Sequence, residues 1–481
     1  MAPSTLIAAW EQDPGSGSQP DGGQLLQVPV PPALSSLKFT IVHQGQDPPP
    51  AIYNTGTPEF RYWTAVEALT RCSLLWSDRV PGIQWHPGEV LTVNLDVGNL
   101  LNANYDRRGL NFFHANIGGR TVFSGESPDV VCHEQGHAVL DAIKPQLWDS
   151  ASAETGAFHE SFADCSAILC ALQLKSLREG VLEETDNQVY HSSRLSRLAE
   201  QLGWAIRQRE PSRADPDCMR NAVNSFFYQD PNTLPSDGPN NILSSELHSF
   251  SRVFTGAFFE GLAGMFIARN IPGEQTLLTV SLDMAQILVL AISASPVVPS
   301  FYSQVAAHML SIANDQFSQF DYAQALRSAF VRHGIISPVT SISSLTPMTR
   351  SIASMAAVAP LNPTPSTTLP LLRLSVSQYG FGEETILVHA ASEAKRFDTA
   401  SASLSFGALL PTTHDIAARA FIEDLLRRGR LKTPEATGGT RSMMGILPPS
   451  TPDRPETFTH ELRREGNDLV LKRIRVDCCF H

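Results

Sequence analysis

The chain has 481 residues, 42% hydrophobic and 17% charged, with a formal net charge of −12 at pH 7. That length predicts two or three domains with enough apolar side chains for a large core. The acidic balance argues against a nucleic-acid or anionic-membrane partner. No apolar run approaches the ~20 residues of a membrane span; residues 284–294 come nearest and contain Gln286, so a buried helix is expected there.

Residues 1–35 are rich in Gly, Pro, Ser and Gln and predict an irregular segment. They open without a basic stretch or a sustained apolar run, so no signal peptide is read. Seven cysteines with no paired-cysteine metal spacing suit a reducing compartment, and a cytoplasmic location is expected. Residues 37–42 and 90–97 alternate as strands, with a helix-like stretch at 59–75 between them. Residues 110–113 and 120–123 read as paired edges. Residues 36–126 therefore predict a β-rich N-terminal lobe.

Residues 127–335 carry helical periods at 127–144, 156–178, 190–208, 215–227, 249–269, 278–293, 298–314 and 321–333. The first contains His133-Glu134-Gln135-Gly136-His137, an H-E-x-x-H sequence. Positions i and i+4 share a helix face, so the two imidazoles can grip one Zn2+ ion. Glu134 then projects beside the metal, where it can take a proton from the attacking water. Ser127-Pro128-Asp129 offers a cap, a first-turn proline and an acid at the positive helix end; Lys144-Pro145 offers a stop. The plainer alternative is a histidine pair satisfied in a core or by solvent. A catalytic zinc takes three protein ligands and keeps one position open. Glu160 lies 23 residues beyond His137, room for a turn and an antiparallel return, and supplies the third ligand. Asp164, one helical turn on, can hold the outer ring nitrogen of a metal-binding histidine. The alternative is two surface carboxylates on an amphipathic helix.

Together these stretches, H-E-x-x-H and then E-x-x-x-D, resemble the thermolysin-like zinc metallopeptidases, the gluzincins. The resemblance covers roughly residues 90–335. It implies that Asn102 and Ala103 lie on an edge strand whose backbone pairs with an extended substrate, a common mode of peptide binding. It also implies that His248 opens a late helix and donates a hydrogen bond to the tetrahedral intermediate, and that Arg220 holds the substrate carbonyl beside the scissile bond. The chain departs from the family in three places. No aspartate precedes His248 to orient it, and Glu246 is the candidate for that role. Trp148 stands where an assisting tyrosine is usual. Residues 171–174, Ala-Leu-Gln-Leu, replace the calcium-binding carboxylates.

Residues 336–366 are Ser, Thr, Pro and Ala with almost no charge, and read as a linker. Residues 367–481 predict a small C-terminal α+β module of unknown role, with strands at 371–375 and 468–476 and a helix at 414–429. The expected fold class is α+β: a thermolysin-like two-lobed metallopeptidase with a β-containing N-terminal lobe, a helical zinc-binding lobe at 127–335 and the zinc helix in the cleft, plus that module. The expected activity is zinc-dependent hydrolysis of a peptide or protein substrate. Two alternatives share the site: a catalytically impaired zinc-containing interaction module, and a hydrolase of non-peptide amides.

Overall fold

The computed structural model describes residues 5–15, 23–337, 369–375, 385–392, 413–433, 458–466 and 468–478. They form a mixed α and β structure with several small sheets. The segment expected to be irregular instead holds two strands. β1 (Leu6–Trp10) and β2 (Leu25–Pro29) pair antiparallel, Leu6 with Pro29 and Trp10 with Leu25. Trp10 meets Phe60 edge-on at 5.4 Å. Polar flanks hide these short strands from composition. Cross-strand pairing and burial against a helix distant in sequence hold them.

β3 (Phe39–Val42) precedes α1 (Pro58–Ser77), whose first turn is set by Pro58 and by the Thr57 hydroxyl, which accepts from the Phe60 N–H. Then come β4 (Leu91–Asn94), β5 (Ala103–Tyr105) and β6 (Gly109–Phe112). β3, β4 and β6 run parallel, and β5 pairs antiparallel with β6. β7 (His114–Ile117) and β8 (Arg120–Phe123) make a separate hairpin around Gly118 and Gly119, both with positive φ (58° and 82°) as a tight hairpin turn demands. Residues 120–123 therefore pair with 114–117, not with 110–113 as expected.

α2 (Pro128–Ile143) starts as the sequence predicts: the Ser127 hydroxyl accepts from the Val130 N–H, Pro128 fills the first turn and Asp129 follows. After α3 (Gln146–Asp149), the chain returns in α4 (Ala153–Ala171). A Cβ on Gly136 would lie 2.9 Å from both Ala163 Cα and Ser166 Cβ, so its absence lets α2 and α4 approach. α5 (Lys175–Glu184) is a separate helix rather than the tail of 156–178.

β9 (Arg197–Leu198), α6 (Glu200–Arg209) and β10 (Arg220–Asn221) follow. Only the second half of 190–208 is helical, and 215–227 contains no helix. There the Asn221 and Asn224 side chains accept from the Val223 and Phe226 N–H groups, local turns that compete with a helical ladder. α7 (Leu247–Ala268), α8 (Glu274–Ala294), α9 (Phe301–Gln316) and α10 (Tyr322–Arg332) complete the helical part. α8 is longer than expected and is the one described helix long and apolar enough to cross a membrane; its Leu277, Met284, Leu288 and Ile292 are buried in the core.

Residues 338–366 of the expected linker lie outside the described residues. Beyond it, β11 (Leu371–Ser375), β12 (Thr385–His389), α11 (His414–Arg427), β13 (Leu431–Lys432), β14 (His460–Glu465) and β15 (Asp468–Arg473) build the predicted module. Its sheet order is β11-β12-β15-β14-β13, and its own core includes Ile386, Val388, Phe421, Ile422 and Leu471. The strand expected over 468–476 is two strands. β16 (Val476–Asp477) leaves the module and pairs antiparallel with β5, giving the N-terminal sheet the order β16-β5-β6-β4-β3. Val476 and Asp477, expected within the module, therefore pair with the first sheet.

Candidate metal centre

α2 and α4 bring three donor-bearing side chains together. His133 Nε2 stands 3.4 Å and His137 Nε2 3.8 Å from Glu160 Oε2. All three residues are buried, and their ligand atoms lie within 4.8 Å of one another. Helical spacing puts the two histidines on one face, and the Gly136 contact sets the interhelical distance that lets Glu160 reach them. Ser166 locks that contact: its hydroxyl donates to the Cys132 carbonyl (3.2 Å) and accepts from the Trp76 indole N–H (3.0 Å).

Among the described residues, His133 Nε2, His137 Nε2 and Glu160 Oε2 have no hydrogen-bond partner, nor has either Glu134 carboxylate oxygen. Leaving that many buried polar atoms unmatched is costly. Two imidazole nitrogens and a carboxylate oxygen are a donor set that suits a divalent transition ion, so these groups can hold a metal. Burial, then the neighbouring histidine charges, pushes the His137 pKa well down, leaving the neutral imidazole a metal needs. His133 goes the other way: burial lowers it, but Cys478, Asp164 and Glu160 around it prevail. A bound cation would take the place of that proton. For Glu134, burial first and then Cys478 raise the carboxyl well above its usual range.

Asp164 lies where expected, its Oδ1 3.0 Å from His133 Nδ1. Arg220 makes contacts that the sequence did not foresee. Its Nε and NH2 groups fork onto Asp164 at 3.1 and 2.7 Å, and its NH1 donates to the Cys478 carbonyl at 3.3 Å. Burial alone would raise Asp164, but the Arg220 charge and the His133 hydrogen bond hold it well below the carboxylate range. His248 reaches the same centre from the first turn of α7, its Nε2 3.3 Å from Glu160 Oε2. Its Nδ1 is 2.8 Å from Glu246 Oε1, so Glu246 occupies the orienting position. His248 Nε2 is also 2.6 Å from the Asp477 carbonyl oxygen. Both ring nitrogens thus face acceptors, an arrangement that favours the doubly protonated, charged ring. Burial opposes that charge, while Glu160 and Glu246 raise the pKa.

Asn102 and Ala103 differ from expectation in one respect. They do lie at β5, but β5 is not a free edge. Asn102 Nδ2 donates to Asp477 Oδ1 (3.0 Å), and the Ala103 carbonyl accepts from the Cys478 N–H (2.9 Å). The open edge was inferred from residues near 102; a partner strand arriving from residue 476 leaves no mark on local sequence.

Three further neighbours surround the site, of which the sequence reading named only Trp148, in the segment where an assisting tyrosine is usual. His159 Nδ1 is 3.4 Å from His137 Nδ1, giving His137 a ring neighbour as Asp164 does for His133. Its place directly before Glu160 was the available signal. Trp148 packs edge-on against His159 and donates its indole N–H to the Arg473 carbonyl (3.2 Å). Arg473 itself comes from the module and is buried; burial brings its pKa down to about 10 against the opposing Glu160 charge. Comparison with known proteins found no matching family model and no matching curated relative.

Proposed function

We propose that this protein is a zinc-dependent, thermolysin-like hydrolase of peptide bonds. One observation carries the reading: three unpartnered, buried donor atoms of His133, His137 and Glu160 face one another, beside an unpartnered carboxylate, Glu134. The order of these residues in the chain, with Asp164 on His133 and a carboxylate on His248, supports the same reading.

His133, His137 and Glu160 would hold the ion, and zinc when bound supplies Lewis acidity toward water and carbonyl oxygen. Glu134 accepts the water proton on a carboxylate oxygen and returns it to the leaving amine nitrogen; its burial-raised pKa suits a group that must both take and give a proton. His248 donates through Nε2 to the carbonyl oxygen as it gains charge, and Glu246 keeps the ring turned for that purpose. Arg220, pinned by Asp164, donates through NH1 to the next carbonyl. Once residues 476–478 are displaced from β5, its backbone would align the peptide as an added antiparallel strand.

Replacing the base is the direct test. Glu134→Gln should retain one zinc per chain and lose about two to four orders of magnitude in turnover of a quenched peptide. Glu160→Ala should lose the metal itself, read by elemental analysis. Full activity in Glu134→Gln would sink the mechanism. Zinc bound tightly with no cleavage by any form would favour a zinc-containing interaction module, a reading to which the chain strand already lying on β5 lends weight.

A further inference from the structure

Three of the groups assigned to substrate hold the chain itself. β16 runs antiparallel to β5, with Val476 opposite Tyr105 and Asp477 opposite Asn104, and the Cys478 N–H continues the ladder to the Ala103 carbonyl. The Asp477 carbonyl takes the His248 Nε2 position, and the Cys478 carbonyl takes an Arg220 N–H. The Asp477–Cys478 peptide therefore lies where the reading above puts the bond to be cut. The side chain that follows is a thiol. Cys478 is buried, and its Sγ forms a second donor cluster with His133 and Glu134, all within 4.8 Å of one another. His133 belongs to both clusters, so the thiol stands beside the three-donor group.

We propose that Cys478 is a further ligand to the metal held by His133, His137 and Glu160, and that residues 476–478 are a resident pseudosubstrate that keeps the hydrolase latent. The proposal rests on the zinc reading of the site. Catalysis needs one coordination position open for water; a thiolate is a better zinc ligand than water and closes it. Coordination requires only that the thiol release its proton to solvent, with no oxidant or reductant. The strand supplies the rest: its main-chain bonds to β5, His248 and Arg220 hold the sulfur near the centre, so that little freedom remains to be lost when it binds. Peptides that compete must run antiparallel to β5 and displace residues 476–478.

The test uses the full chain loaded with one equivalent of zinc, beside Cys478→Ser, which preserves the strand and side-chain size. X-ray absorption at the zinc edge should show a sulfur scatterer at about 2.3 Å in the natural protein and only nitrogen and oxygen in the variant, at equal zinc content. The variant should cleave a quenched peptide on the order of tenfold faster or more, as the competent fraction rises. The intact mass of the natural protein should not change. A nitrogen and oxygen shell in the natural protein, or loss of the residues from 478 onward by self-cleavage, would overturn the pseudosubstrate and leave the hydrolase reading standing. Absence of bound zinc in both proteins would overturn the two together.

Discussion

Glu246 serves two hydrogen bonds with one carboxylate. Oε1 meets His248 Nδ1 at 2.8 Å, while Oε2 accepts the Ser249 N–H at 2.9 Å and caps α7. Burial opposes ionisation, but His248 and the cap win and bring the Glu246 pKa from 4.5 to about 2. A carboxyl depressed in the folded state stabilises it above the unfolded value of about 4.5, and the contribution fades as pH falls toward 2. The shift corresponds to about 3 kcal/mol at most. Glu246→Gln should therefore lower stability at pH 7 by about 1–3 kcal/mol. It should also flatten the loss expected of the natural protein between pH 5 and pH 3, a range bracketing that unfolded value of about 4.5. Urea titrations across that range check it; equal pH slopes in both proteins would refute it. Sequence named this carboxylate as the candidate partner of His248 but could not fix the contact, since a side chain two positions away can face any direction until the helix start sets its angle.

At the scale of elements, the site depends on how closely α2 and α4 approach. Their contact centres on Gly136, where an added Cβ would press on Ala163 and Ser166 at 2.9 Å. Gly136→Ala should cost about 1–3 kcal/mol through overpacking, although alanine favours the helix intrinsically. It should also weaken metal binding by pushing Glu160 away from the histidines. Thermal melts and chelator competition on the same sample check both; a variant as stable as its parent, with unchanged metal affinity, would remove the interhelical argument. The helices that bear the candidate metal-holding residues were readable because their periods, caps and stops agree: α2 lies within a residue of the predicted 127–144 at each end. The misread stretch, 215–227, is one where asparagine and aspartate side chains bond the backbone locally.

The whole molecule adds a contact that spans 375 positions, from Asn102 to Asp477. The module supplies Arg473 near Glu160 and then passes β16 across to the first sheet, so its position and the state of the cleft are linked. Asp477 anchors the crossing: its Oδ1 also lies 2.8 Å from Arg475 Nε. Asp477→Ala should loosen the strand and raise amide exchange across residues 103–105 by on the order of tenfold or more, with α2 and α4 unaffected. Hydrogen exchange followed by mass spectrometry reads this directly. Unchanged protection there would mean that backbone pairing alone holds β16.

From the sequence by itself came the grouping of His133, His137 and Glu160 as residues that could hold a metal, with Glu134 beside them and Asp164 on His133, because each depends on spacing within one helix or between two neighbouring ones. The sequence also anticipated the mixed α and β class and the strands and helix that follow residue 367. Only the tertiary structure decided that residues near the start form a hairpin, that Arg220 divides itself between Asp164 and Cys478, and that β5 carries a partner strand. Those outcomes turn on pairings between residues tens to hundreds of positions apart. Backbone hydrogen bonds between strands are made by any residue type, so a strand arriving from residue 476 is written in no local pattern and appears only when the chain is folded.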